Sequence, residues 1–389
     1  MADDSVTETT TQSWFSRIGG AIAGAVFGVI LFFGSFVVLW LNEGHAIKEE
    51  RSLLQGSKEV VSVSASTVDP ANESKLVHVT GDLSARGPVK DKKFGITEKA
   101  IKLRRDVEMY QWTENKKSET KKNLGGSEDT VTTYTYEKKW SPTVIDSSEF
   151  HKKEGHRNPE EMSVKDLTFV AEDIKAGAFA LPDSLVEKID DFKPLEVKAK
   201  NSEEIADNFS APIKTINDGY FIGKDSDDPV VGDLRVHFQE VLAGPVSIVA
   251  KQIQSTFEPY STKEGKIELL QLGTVSADNM FKTALENNAI VTWILRAVGW
   301  FMMFLGIVLI GNPLSVLGDL VPFIGNLLGA GISLIALVIS APLALISIAL
   351  AWLAYRPLLG IPLLLVALAL IVLGVRALGK KKALKAQTA

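Results

Sequence analysis

The chain has 389 residues, 46% of them hydrophobic and 23% charged, with a formal net charge of -5 and a pI near 5.7. This balance excludes the basic face of a nucleic-acid binder, and the absence of cysteine excludes disulfides, cysteine-based zinc sites and thiol catalysis. The averages look soluble only because they mix two kinds of segment, apolar and polar, that are segregated along the chain.

Residues 1–13, "MADDSVTETTTQS", are small, polar and acidic, and predict a disordered tail. From Ile18 to Leu41 no side chain is charged, and as a helix this stretch covers the roughly 30 Å hydrocarbon core of a bilayer. It is too long for a signal peptide, so it reads as an uncleaved anchor over 14–41, with Arg17 just before its uncharged stretch and Trp14 and Trp40 near its two ends. Gly20, Gly24 and Gly28 repeat a G-x-x-x-G spacing that lets helices approach closely, within the chain or between chains.

Asn42, Glu43, Gly44 and His45 follow without a linker. Glu43 and His45 are two positions apart and point away from each other on a helix, so they are no acid–base pair. Asn42 and Gly44 can end or bend the helix, and Asn42, Glu43 and Gly44 are read as a structural joint. Ala46, Ile47, Leu53 and Leu54 then alternate with Lys48, Glu49, Glu50 and Arg51, the pattern of an amphipathic docking helix.

Residues 42–286 predict one β-rich α+β domain. In "AIKLRRDVEMYQW", Ile101, Leu103, Val107 and Met109 share one parity and Lys102, Arg104, Asp106 and Glu108 the other, as in a half-buried strand. "KEVVSVS", "KLVHVTG", "TVTTYTYEKKW", "GDLRVHF" and "VSIVAKQIQ" carry similar signals. Weak helical patterns lie within Ser163–Phe192 and near Ser202–Asn208. The stretch 113–129 reads as a solvated hairpin loop without a role, its lysines diluted by Glu114, Glu119, Glu128 and Asp129.

Beyond Glu286 the only acid is Asp319. Transmembrane helix 2 is expected at 287–310, an inner-face amphipathic connector at 311–326 with Asp319 on its polar face, helix 3 at 327–352, and a turn with helix 4 at 353–375. The alternative for the connector is a plain loop. Arg376, Lys380, Lys381, Lys382 and Lys385 make 376–389 a basic tail, which predicts both termini on the cytoplasmic side and the 42–286 domain outside, in a periplasm or lumen. The fold class is therefore an α-helical multi-pass membrane protein of four spans, with a large β-rich extracytoplasmic domain between spans one and two.

No catalytic or metal-binding residue stands out. His151 and His156 in "HKKEGH" are five apart and do not make the H-E-x-x-H pattern, and no phosphate loop or nucleophile elbow occurs. No cofactor is implied. Arg296 and Arg356, near span ends, are expected to snorkel outward. Tyr110, Trp112, Tyr134, Tyr136 and Trp140 could line a ligand pocket or form cross-strand pairs.

"NEG" after the first span, "AIKLRRDVEMYQW", "TYTYEKKW", "VGDLRVHF", "PYSTKEG", "RAVGWFMMFLG" and "LAWLAYRPL" together resemble the LUMA, or transmembrane protein 43, family over almost the whole chain. The resemblance implies four spans and a large lumenal domain. It further implies, for eukaryotic members, residence in the inner nuclear membrane and endoplasmic reticulum, self-association, and organisation of envelope proteins such as lamins and emerin. A bacterial member would sit in the cell membrane. His45 stands where the family has Arg, and the family supplies no catalytic residues. The resulting expectation is a non-enzymatic membrane scaffold, a homo-oligomer that meets the lipid bilayer and other membrane or envelope proteins. A ligand- or lipid-sensing protein is the alternative, and an envelope enzyme, with Glu43, His45 and His237 as candidates, is the third reading.

Overall fold

The structure is a computed structural model that describes residues 4–197, 205–216 and 219–356, with positions 358, 361, 362, 365, 366 and 369. The fourth span expected within 353–375 and the basic tail fall largely outside the described residues, as do positions 202–204, whereas Ala206–Asn208, where a weak helical pattern lies, form a 3-10 turn. The chain divides into two compact units. One holds Met1–Thr7, Ser52–Lys117 and Thr133–Ala284; the other holds Glu8–Arg51, Ser118–Thr132 and Leu285–Ala389.

The strands, in chain order, are β1 (Ser5–Gln12), β2 (Val61–Ser64), β3 (Leu76–Arg86), β4 (Val89–Asp91), β5 (Ile96–Glu98), β6 (Ala100–Lys122), β7 (Glu128–Ser141), β8 (Leu167–Val170), β9 (Glu172–Ala176), β10 (Phe179–Ala180), β11 (Lys193–Pro194), β12 (Ile213–Ile216), β13 (Gly219–Ile222), β14 (Leu234–Leu242), β15 (Pro245–Ile253), β16 (Thr256–Glu258), β17 (Tyr260–Ser261), β18 (Lys266–Ile267) and β19 (Leu269–Leu272). The helices are α1 (Trp14–Glu59), α2 (Asp183–Glu187), α3 (Ala277–Gly318) and α4 (Pro322–Tyr355).

Among the described residues, two large sheets build most of the strand-rich unit, beside two-stranded sheets of β4 with β5 and of β17 with β18. One large sheet runs β1-β7-β6-β14-β13-β12, with β11 on β14 and β8 on β6; the other runs β10-β9-β3-β15-β16, with β19 on β15 and β2 parallel to β3. All six strand signals form. Leu103, Val107 and Met109 bury one face of β6 against Phe94, Tyr220 and Phe238, whose rings pack at 5.4–6.1 Å between centroids. The second core gathers Val77, Val79, Phe179, Ile248 and Phe257.

Alternation along β6 breaks at two cations. Lys102 is buried and donates to Ile189 O at 2.7 Å; burial holds its ammonium below the usual range, against the opposing pull of Asp190 and Glu187. Arg105 is buried too, donating to Asp91 Oδ2 at 2.6 Å and to Lys165 O at 3.0 Å. Ser163–Phe192, where the sequence pattern suggests helix, is mostly strand: β8, β9 and β10 precede the five-residue α2. The strand-forming run Leu167–Val170 finds a partner in β6, and that pairing outweighs a weak local pattern.

Residues 5–12 are not a disordered tail. The β-branched residues Val6, Thr7, Thr9, Thr10 and Thr11 form β1, which pairs with β7. Asp4 just before it bonds Lys152 Nζ at 2.8 Å and His156 Nε2 at 2.7 Å.

The second unit is helical, with a strand hairpin. Among the described residues, three helices are long and apolar enough to cross a membrane: α1, α3 and α4. Leu39, Met303, Ala344 and Ile348 form the buried seam, flanked by Phe32, Phe36, Trp300 and Ile307. Outward they present large apolar side chains, among them Ile30, Phe33, Trp293, Phe301 and Leu334. That is the surface lipid requires. No break occurs at Asn42 or Gly44, because α1 runs through both. Nor is there a separate in-plane helix at 311–326: α3 continues past Pro313 to Gly318, a tight turn follows, and α4 begins at Pro322.

Candidate functional site

Charged side chains inside a helical membrane unit are expensive to bury and therefore mark sites that the fold has been built around. Among the described residues the helical unit has two such places, one at each end of the apolar part of α1.

At the first, the Glu43 side chain is 1% exposed. Its Oε1 accepts from Arg296 Nε at 2.6 Å, and its Oε2 accepts from Arg296 Nη2 at 2.9 Å and from the Trp352 indole N–H at 2.6 Å. One carboxylate thus joins α1, α3 and α4. The Arg296 guanidinium lies over Trp293 at 4.6 Å and Trp352 at 5.6 Å, so it has two π partners. Arg296 therefore does not snorkel outward; a bidentate carboxylate is the better place for a planar cation. Arg356 is likewise paired, with Glu50.

The neighbours of Glu43 extend this joint. Asn42 Nδ2 donates to Thr292 O at 3.2 Å, and Asn288 Nδ2 donates to Ala46 O at 2.9 Å. A Cβ at Gly44 would meet the Tyr355 hydroxyl at 2.8 Å. His45 is exposed while Glu43 is buried, so the two residues do diverge. Ala46, Ile47 and Leu53 are buried, whereas Leu54 is exposed.

At the other end, Arg17 Nη2 meets Asp319 Oδ2 at 2.5 Å, Arg17 Nε meets Glu128 Oε2 at 2.8 Å, and Arg17 Nη1 donates to Gly126 O at 2.6 Å. Asp319, with a side chain 1% exposed, also accepts from Lys122 Nζ at 2.9 Å, and the same ammonium donates to Asn326 Oδ1 at 2.9 Å. Trp14 donates its indole N–H to Val316 O at 2.9 Å, and Gly125 N donates to Leu320 O at 3.1 Å. Gly126 has φ +82°, and a Cβ there would strike the Trp14 ring. Only glycine suits that position.

Sequence pattern does not reveal this second cluster, since it gives the 113–129 hairpin no role and puts Asp319 on a polar face. The cluster also joins segments that the pattern separates: the hairpin belongs to the outer domain by that reading, Arg17 and 311–326 to the inner side, yet their side chains touch. A signal is available. A lone acid in a long apolar stretch needs a cationic partner.

Along α1 the glycines differ. A Cβ on Gly28 would meet Gly306 O and Leu309 Cβ at 2.8 Å each, and Gly24 has only Leu309 at 3.9 Å. Gly20, like Gly19, has nothing within 4 Å.

The five candidate pocket aromatics pack instead of lining a cavity. Tyr110 and Trp140 lie 5.2 Å apart; Trp112 and Tyr136 enclose His156 at 4.6 and 4.1 Å; Tyr134 stacks on His151 at 4.2 Å. Burial and the Glu114 hydrogen bond push the Tyr136 phenol up to about 12. Separate partners occupy His151 and His156, and among the described residues no group of three metal-type ligands converges.

The family model described as Transmembrane protein 43 matches residues 109–357. The Transmembrane protein 43 of Rattus norvegicus is 34% identical over 365 residues, 91% of this chain and 90% of that one, and that of Homo sapiens is 34% identical over 364 residues, 90% and 89%. The Drosophila melanogaster homolog is 29% identical over 357 residues, 86% and 90%. No solved structure matches.

Proposed function

We propose a function from one established premise, that the chain belongs to the transmembrane protein 43 family. It is a membrane protein that works as a scaffold and not as an enzyme, self-associating in the bilayer and holding other membrane or envelope proteins through its strand-rich unit. Leu358–Val375 is the fourth span in this reading, and the basic tail after it keeps both termini on the cytoplasmic side. A bacterial source puts it in the cell membrane, a eukaryotic one in the inner nuclear membrane and endoplasmic reticulum.

The observation that carries the reading is the unequal use of the α1 glycines. Gly28 is taken up inside the chain against Gly306, whereas Gly20 faces open space on the same apolar helix. A second helix backbone fits there, with Gly24 at the margin. Asn42, Glu43 and Gly44 serve this role indirectly, as the joint that fixes α1 against α3 and α4.

Crosslinking in native membranes, followed by affinity purification with protein and lipid identification, tests the proposal. Oligomers that Gly20→Leu abolishes, together with a co-purifying membrane protein, are expected. Monomers alone, with no protein partner, overturn it.

One observation favours ligand sensing as a second reading: an open groove of about 550 Å³ in the strand-rich unit, lined by Ser147, Ser148, Lys153, Arg157, Asn158 and Glu160. A bound small molecule or lipid in the same purification would favour it. The enzyme reading loses its candidates if alanine at Glu43, His45 and His237 removes no activity beyond what misfolding explains.

A further inference from the structure

The Glu43–Arg296 pair is complete in charge but not in hydrogen bonds. Arg296 gives Nε and Nη2 to the carboxylate, while Nη1, in a side chain that is 15% exposed, is not enclosed and has no acceptor among the described residues. A charged donor with unmet N–H groups is expensive at bilayer depth. It calls for an acceptor that these three helices do not supply.

The pattern of α3 sets the depth of that nitrogen. Exposed apolar residues lie on both sides of Arg296, with Ile290 at 57%, Trp293 at 66% and Ile294 at 57% before it, and Val298 at 44% and Phe301 at 51% after it. Glu286 and Asn287 are exposed and polar, so the apolar band has its edge near Ile290, about 9 Å along the axis from Arg296. Helical side chains lean toward the N-terminus of their helix, and the guanidinium accordingly lies over Trp293, one turn nearer that edge, at 4.6 Å. The charge therefore sits where phosphates and glycerol esters meet the acyl chains, the depth at which tryptophan collects.

Aromatic rings wall the place. Trp352 lies on the guanidinium at 5.6 Å with its indole N–H spent on Glu43, and the Trp300 indole N–H is spent on Ser340 Oγ at 3.1 Å. Nη1 is left as a polar donor between apolar faces.

We propose that Arg296 holds a phospholipid here, with a phosphodiester oxygen accepting from Nη1, the glycerol against the exposed Trp293, and an acyl chain along Ala297 and Phe301. Two features select this occupant. Phosphate takes charge-assisted hydrogen bonds from arginine that a neutral acceptor does not match, and the apolar face that continues past the nitrogen suits chains and not water. Because Glu43 already neutralises the guanidinium, the site needs no net negative headgroup and takes zwitterionic phospholipids as well as anionic ones. The inference depends neither on self-association nor on the groove of the strand-rich unit.

The full chain, purified in detergent and stripped of lipid, is given phosphatidylglycerol or phosphatidylethanolamine in mixed micelles, and bound lipid is read by native mass spectrometry. Both should be retained, and inorganic phosphate, which has the oxygens without the chains, should not displace them. Glu43→Leu with Arg296→Met, an apolar pair of similar volume, should lower retention several-fold. Trp293→Leu, at an exposed position, should lower it less, and Trp40→Leu on α1 should leave it unchanged. Retention that survives the double substitution, or that falls as much with Trp40→Leu as with Trp293→Leu, overturns the proposal. Should the double variant not fold, the comparison of Trp293→Leu with Trp40→Leu decides. The chain has no cysteine, so a photo-crosslinker can be placed uniquely at Ala297→Cys. It should capture phospholipid; capture of residues 358–375 would give the space to the fourth span and overturn the proposal as well.

Discussion

The two ends of the helical unit solve one problem in opposite ways. At Glu43 a single carboxylate and a single guanidinium complete each other, with one indole N–H taking a remaining lone pair. At Arg17 every group is shared: the guanidinium serves Asp319, Glu128 and a carbonyl, and Asp319 serves two cations. A closed pair fails completely when one member is lost. A shared cluster degrades in steps, because its cations each keep a second partner.

The sharpest way to break that comparison is Glu43→Ala. It strands the Arg296 guanidinium between two tryptophans without a counter-charge, and the loss of unfolding free energy in mixed micelles should be about 3–5 kcal/mol. Glu43→Leu with Arg296→Met should restore much of it, since an apolar pair of similar volume carries no desolvation penalty. Asp319→Asn should cost less, about 2–3 kcal/mol, because Arg17 keeps Glu128 and Lys122 keeps Asn326. Equal losses for the two variants would remove the distinction between closed and shared.

Packing gives a smaller contrast along α1. Gly28→Leu should destabilise by about 1–3 kcal/mol through overpacking against Gly306, measured in the same micelles, while Gly20→Ala should be neutral or slightly stabilising in the monomer. Least in size is a pH effect at the Arg17 end. Hydrogen bonds from Thr11 and Asn123 hold the Asp129 carboxyl below its usual range. A depressed carboxyl stabilises the fold fully above its unfolded pKa, near ~4, and the contribution disappears as pH falls through the lower folded value. Protection of residues 8–12 from hydrogen exchange, taken relative to the intrinsic rate at each pH, should therefore be high near about pH 6 and fall below about pH 4, whereas protection around Glu43 should not respond to the same group.

Strand content and three apolar helices are legible in the sequence because they rest on periodicity and length, which any window of residues displays. Leu103, Val107 and Met109 announce their buried face residue by residue. The joint at Asn42–Gly44 is visible as a place but not as a structure: its meaning depends on Arg296 and Trp352, far away in sequence and brought there only by helix packing. The strand at Ser5–Gln12 escapes notice because Val6, packed beside Tyr134, Tyr136 and Phe150, is its only large apolar residue, and it forms by adding to an edge already made by β7. Asp319 is hard to place for a related reason, since a helical wheel records which side of a helix a residue takes but not what packs against it.

The sequence separations of these ion pairs set a timetable for synthesis. Glu43 lies 253 residues before Arg296, and Arg17 lies 302 before Asp319. At about 5–20 residues per second, roughly 13 to 60 s pass between the appearance of each early charge and that of its late partner. During that interval the first helix is at the membrane with Glu43 unmatched and Arg17 able to reach Glu128 and Gly126 O but not Asp319, and only the arrival of α3 and the turn after it completes both ends. Truncation before residue 296 should thus yield a chain that is held by insertion and quality-control machinery, in proportion to the charges left waiting.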